Sequence, residues 1–326
     1  MKKIQKIGFL RALQLGDFLC CIPAVRALRE AFPNAHIAWI GLPGNSGLAQ
    51  RFAHYIDEYI PFPGYPGLPE QAIDPPAIVA FIQKIQQSAF DLVLQLQGNG
   101  TYVNGLVTLF NARITAGFYK NDIFRPNENY FIPYPEDMHE IERHLALIRH
   151  LKLPVDSTVL EFPILIDRSP INEKYSLEPQ TYICIHPGSR GSWRQWPPTY
   201  FALIADFCIK NGYRIVLTGT AGEKDIVNAV AAHMQYDPIL LAGETDLDEL
   251  AILLKQARGL IANCTGIAHI AYALHTPSII ISMDGEPHRW GPPKNYRHKI
   301  INWLETPCYD LAVKAFNEVF MQQTEL

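Results

Sequence analysis

At 326 residues the chain is long enough for two domains with separate cores. An apolar content of 48% with 18% charged residues describes a globular protein and excludes a disordered or fibrous one. The net charge of −4 leaves no global electrostatic footprint for nucleic acid, and no apolar run nears the roughly 18 residues that span a bilayer.

The N-terminus has lysines like a signal peptide, but Arg11, Gln14 and Asp17 interrupt its apolar stretch, so a buried first strand is expected. Short apolar runs then alternate with helical patterns. Strands are predicted at 7–13, 37–41, 58–62, 92–96 and 114–118, and helices at 22–31, 45–53, 76–88, 102–112 and 138–151. The polar stretch 170–180 reads as a connector. The alternation restarts with strands at 183–186, 214–218, 239–242, 259–263 and 278–283, and helices at 199–211, 223–234, 246–256, 267–274 and 310–322. This pattern predicts two doubly wound α/β domains in tandem, 1–170 and 171–326, with ligands beyond the carboxyl ends of the strands and a cleft between the domains as the default site. The six cysteines show no metal-binding spacing and read as buried thiols of a reducing cytoplasm.

Several strand-to-helix junctions carry chemistry. Gly16-Asp17 follows the first strand; Asp17 is either a helix cap or a functional carboxylate. Gly188, Ser189 and Gly191 offer small residues and donors after the strand at 183, while Arg190 and Arg194 supply charge suited to phosphate; the alternative is a surface loop with two solvated arginines. Glu223 lies a few residues beyond the strand at 214–218, placed either to accept ribose hydroxyls or to cap its own helix. Asn263-Cys264-Thr265-Gly266 ends a strand and starts a helix: either an anion site with His269 one turn in, or an ordinary turn with Thr265 as cap and His269 in the core. A thiol at such a helix start is expected to have a lowered pKa and to react if exposed. Three other signals fail on inspection. Asp246 and Asp248 imitate a metal-binding pair but fit a capping box. His139, Glu140 and His144 miss the zinc-protease spacing, and Gly98, Gly100 and Gly105 miss the dinucleotide fingerprint. No metal site is expected.

Leu-Gly-Asp-x-x-x-x-x-Pro-Ala-x-Arg-x-Leu, starting at Leu15, closely resembles the opening of glycosyltransferase family 9, the heptosyltransferases; Asp17, Pro23 and Arg26 fill matching positions. The stretch His-Pro-Gly at 186–188, the basic residue two before Trp196-Pro197, Glu223, and Thr265, Gly266 and His269 also resemble that family. Two departures stand out: Arg194 where the family usually has Lys, and Cys264 where it has an Asp that touches the donor. The resemblance implies a GT-B fold with two Rossmann-like domains facing a central cleft. The acceptor would bind the first domain, near Gly16, Gly98 and Asn99, and the donor the second. The last helix, about 310–322, would pack back on the first domain. It further implies an inverting, metal-independent transferase without cofactor, moving a sugar from a nucleotide diphospho-sugar, ADP-heptose, to a lipopolysaccharide inner-core acceptor. Asp17 would be the base. Gly188, Ser189, Arg190, Arg194, Glu223, Cys264, Thr265, Gly266 and His269 would hold the donor. The expected location is the cytoplasm, with peripheral contact at the inner membrane through the acceptor. A nucleotide-sugar epimerase on the same fold and a catalytically weak sugar-nucleotide binding protein stand as alternatives.

Overall fold

The structure is a computed structural model that describes residues 4–121, 124–292 and 297–321. The chain divides after Leu160 into two compact units, each described by itself.

The first unit carries β1 (Lys6–Leu10), α1 (Leu15–Ala31), β2 (His36–Gly41), α2 (Ser46–Arg51), β3 (Glu58–Pro61), α3 (Pro75–Ser88), β4 (Leu92–Gln95), α4 (Val103–Leu109), β5 (Ile114–Tyr119), β6 (Phe131–Pro133) and α5 (Glu140–His150). Its six strands are parallel and run in the order β3-β2-β1-β4-β5-β6. The central strands β1 and β4 are almost wholly buried because helices cover both faces, which is why they read as unbroken apolar runs. Chain order reverses between β1 and β4. Such a switch point leaves a crevice beyond the strand ends, because the following connections leave in opposite directions.

The second unit repeats the plan with α6 (Pro170–Lys174), β7 (Tyr182–His186), α7 (Pro198–Lys210), β8 (Arg214–Gly219), α8 (Lys224–His233), β9 (Ile239–Ala242), α9 (Leu247–Gln256), β10 (Gly259–Asn263), α10 (Gly266–Ala273), β11 (Ser278–Ser282), α11 (Pro287–Trp290), β12 (His298–Asn302) and α12 (Asp310–Phe316). Its parallel sheet runs β12-β11-β10-β7-β8-β9, the same winding, with its switch point between β7 and β10. Ala312, Ala315 and Phe316 of α12, with Val319, lie in this unit's own core beside Trp196 and Trp303, a face at helical spacing. Residue 322, the expected end of that helix, lies outside the described residues.

Some boundaries differ from the sequence reading. β1 stops at Leu10 and α1 starts at Leu15, seven residues earlier than expected, since nothing between Leu15 and Ile22 breaks a helix. The expected connector at 170–180 contains α6, with Pro170 in its first turn and Ser169 capping it through the Asn172 amide. The short edge strands β6 and β12 were not foreseen. Among the described residues no helix is long and apolar enough to cross a membrane.

Candidate active site

Both groups of sequence-selected residues fall at the switch points. In the first unit, Gly16 and Asp17 occupy the first turn of α1. Gln14, not Asp17, holds the N-cap position, and its side chain makes no capping bond. The Asp17 carboxylate instead meets Arg11, just past β1: Arg11 Nη2 lies 3.3 Å from Asp17 Oδ1, and Arg11 Nε donates to the Asp17 carbonyl at 3.0 Å. Arg11 is buried. Its Nη1 donates to the Leu96 carbonyl at 2.7 Å and its Nη2 to Glu140 Oε1 at 3.0 Å. Glu140, at the start of α5, also pairs with buried Arg143, and His144 Nε2 lies 3.5 Å from its Oε1. Burial works against the Arg11 charge, yet Glu140 and Asp17 outweigh it and raise its pKa. Asp17 is therefore the partly exposed end of a buried ionic chain, fixed by a cation that the protein interior itself anchors.

Gly98 and Asn99 lie beyond β4. Gln97 exchanges hydrogen bonds with the Ala12 backbone, its Oε1 accepting at 2.8 Å and its Nε2 donating at 3.3 Å, which ties this loop to the end of β1. Gly98 adopts φ +65°, which a side chain would strain. Leu13, Glu70, Gln97, Gly98, Asn99 and Tyr102 are among the residues lining a pocket of about 170 Å³. Glu70 Oε2 is buried and has no hydrogen-bond partner among the described residues. The pocket's lining is mostly apolar, Leu68, Pro69 and Val103 included, with a few polar groups among it, the usual make-up of a small-molecule site.

In the second unit, Asn263 organises the site from the end of β10. Its Nδ2 donates to the Pro187 carbonyl at 2.7 Å, and its Oδ1 accepts from the Trp196 amide at 2.9 Å. This fully buried amide holds both ends of the loop that carries Gly188, Ser189, Arg190 and Arg194. Ser189 Oγ is buried with no hydrogen-bond partner among the described residues, while Arg190 is exposed. Glu223 accepts from the Thr220 amide at 2.7 Å and its hydroxyl at 2.9 Å, closing a capping box. The same carboxylate lies over Gly188: a Cβ there would stand 2.2 Å from Glu223 Cδ and Oε1. Only glycine permits that approach. His186 Nε2 lies 3.7 Å from Glu223 Oε2, and its Nδ1 bonds the Thr218 hydroxyl at 3.0 Å. Burial lowers the His186 pKa, with Glu223 opposing.

Thr265 is the N-cap residue of α10, and Gly266 begins the helix, so its first amides point beyond β10. Arg194 Nη2 donates to the Cys264 carbonyl at 3.3 Å and to the Asp284 carboxylate. His269 is buried on α10, one turn after Gly266. The expectation of an activated Cys264 is overturned. Its thiol is 5% exposed, and burial pushes its pKa up to about 12, with Asp284 adding to the rise and Arg194 opposing. Desolvation outweighs the helix dipole here. The DxD-like pair is consumed structurally: Asp246 Oδ1 accepts from the amides of Asp248 at 2.8 Å and Glu249 at 2.9 Å, and Asp248 accepts from the Leu165 amide at 2.8 Å. Among the described residues no cluster of three or more His, Cys, Asp or Glu could hold a metal ion. Sequence reading gave no site role to Arg11, Glu140, Glu70 or Asp284, and named Asn263 as part of its junction without the loop-holding role seen here. A charged residue inside an apolar strand end was the available signal for Arg11; the others lie far in sequence from the groups they support.

A family model described as glycosyltransferase family 9 (heptosyltransferase) matches residues 78–315. Lipopolysaccharide heptosyltransferase 2 of Escherichia coli K12 is 27% identical over 180 residues, covering 50% of this chain and 51% of that protein. The chain thus spans about half the length of that relative. Lipopolysaccharide heptosyltransferase 3 of Escherichia coli is 24% identical over 294 residues, covering 86% and 84%. The solved structure of Escherichia coli ADP-heptose lps heptosyltransferase II superposes with a TM-score of 0.74 at 20% identity, covering 98% of this chain and 99% of that one. At that identity the likeness speaks to the fold, which is GT-B: two Rossmann-like α/β units.

Proposed function

This chain belongs to glycosyltransferase family 9, the heptosyltransferase family, and from that premise we propose that it moves a heptose from ADP-heptose to a saccharide of the lipopolysaccharide inner core, inverting the anomeric centre without a metal ion. The observation that carries this reading is the group of anion-suited donors beyond β7 and β10: the α10 amides, the unpartnered Ser189 hydroxyl and the Arg194 guanidinium. They receive the diphosphate, which leaves as charge develops on its bridging oxygen. Glu223, over Gly188, accepts the ribose hydroxyls. Fixed positive charge takes the place that a divalent cation fills where a carboxylate pair is free to bind one.

Asp17 takes the proton from the attacking acceptor hydroxyl. A base must be held in place yet reach substrate, and Asp17 fits both needs: Arg11 fixes one carboxylate oxygen while 24% of the side chain stays exposed. The hydroxyl attacks the anomeric carbon on the face opposite the diphosphate, the C–O bond to the diphosphate breaks, and ADP departs. The pocket lined by Glu70, Gln97 and Asn99 holds acceptor hydroxyls. The proposed place of action is the cytoplasmic face of the inner membrane, reached through the acceptor.

A thermal-shift panel of ADP, UDP and GDP tests the donor, followed by mass spectrometry of an inner-core acceptor incubated with ADP-heptose. A ligand at 100 times its Kd adds about 2.7 kcal/mol of stability. ADP alone should produce a shift of that order, and the acceptor should gain the mass of one heptose. Stabilisation by UDP or GDP but not ADP would rule out the donor assignment.

A further inference from the structure

We propose that Asp284, beyond the end of β11, is the positioning residue for Arg194, and that its carboxylate is the one this half-site accommodates beside position 264. The proposal rests on the donor reading above and adds a residue to it.

Asp284 is held like a component rather than a loop side chain. It is 5% exposed. Its Oδ1 accepts from the Ser282 hydroxyl at 2.8 Å and the Glu286 amide at 3.1 Å, and its Oδ2 takes Arg194 Nη2. Burial pushes its carboxyl up, but those hydrogen bonds and the Arg194 charge outweigh it and keep its pKa below the usual range. Nη2 of Arg194 is thus spent on Asp284 and the Cys264 carbonyl. The Nε and Nη1 donors, on a guanidinium 31% exposed, meet no acceptor among the described residues and remain for an anion. An arginine gripped at one corner presents its other donors in a fixed orientation, so less freedom is lost when phosphate binds.

The same geometry explains the residue at 264. Its carbonyl accepts at 3.3 Å from the same Arg194 Nη2 that Asp284 holds, so position 264 stands beside this ion pair. A carboxylate there would add a second negative charge beside one arginine, so the neutral Cys264 suits a site whose carboxylate comes from β11. The two positions are alternatives: a carboxylate belongs at one or the other, not at both.

The test measures ADP affinity by calorimetry for Arg194→Ala, Asp284→Asn, Cys264→Asp and the double variant Cys264→Asp/Asp284→Asn. Asparagine keeps an oxygen for Ser282 and the Glu286 amide but turns a donor toward Arg194, so the loop should stay folded, with melting temperature as the control. Asp284→Asn and Cys264→Asp should each weaken ADP binding about tenfold or more, and the double variant should recover to within about threefold of the parent. A structural role alone would give additive losses in the double variant. If Arg194→Ala weakens binding but Asp284→Asn leaves it unchanged or tighter, the positioning role is wrong while the donor site stands. If neither weakens it, both fail. No recovery in the double variant would overturn the exchange between the two positions.

Discussion

Replacing Glu140 by Gln removes the negative charge that two buried guanidinium groups share. Arg11 and Arg143 are each 1% exposed, and Glu140 is 3% exposed. After the change Arg11 keeps the Leu96 carbonyl and the more exposed Asp17. Arg143 keeps the carbonyls of Pro135, Glu136 and Met138 and the face of Tyr134 at 4.3 Å. Removing one partner of a buried ion pair typically costs about 3–5 kcal/mol, because a buried charge is left uncompensated. The remaining carbonyls place Glu140→Gln at the low end, about 3 kcal/mol. At roughly 2–4 °C per kcal/mol for a domain of this size, the melting temperature should fall by about 6–12 °C. Asp17→Asn breaks only the exposed end of the chain and should cost about 1 kcal/mol, a third as much. Differential scanning calorimetry of the two variants side by side measures the ratio. If Glu140→Gln melts within 2 °C of the parent, or if Asp17→Asn is the more damaging, Asp17 is not the outer end of an internally anchored chain.

Gly188→Ala should push the Glu223 carboxylate away from its place and weaken ADP binding about tenfold, or about 1.4 kcal/mol. In a Glu223→Ala background the same change should add little; full additivity by calorimetry would mean the two residues do not share a site. Cys264 should resist iodoacetamide at pH 8 in the folded protein, since burial shields its thiol and pushes its pKa up to about 12. Mass mapping that finds Cys264 alkylated faster than the less buried Cys308 would contradict its burial.

The winding of both units was legible because buried parallel strands write themselves as apolar runs, as in residues 183–186 and 259–263. The edge strands β6 and β12 were not, being short and mixed in composition, with pairing on one side only. The site divided in the same way. Gly188, Thr265 and Gly266 are local features of strand-to-helix junctions, where small residues and caps announce themselves. Arg11, Glu140, Asn263 and Asp284 act across gaps of 67 to 129 residues. No periodicity records such pairings. The Cys264 expectation failed for the same reason: its sequence context shows a helix start, but not the packing that desolvates it.

The most direct measurement for the proposed chemistry is turnover and ADP affinity of Asp17→Asn in one preparation. Asparagine fills the same space and keeps an oxygen toward Arg11, but it cannot take the acceptor proton. Loss of a general base lowers rate by about 10²–10⁴-fold. Asp17 belongs to the first unit and the proposed ADP-binding groups to the second, so ADP affinity should stay within twofold of the parent. Heptose transfer that collapses while ADP binding and folding persist is the result expected here. Transfer at the parental rate would show that Asp17 is not the base, and a matching loss of ADP affinity would show that its role is not confined to the acceptor.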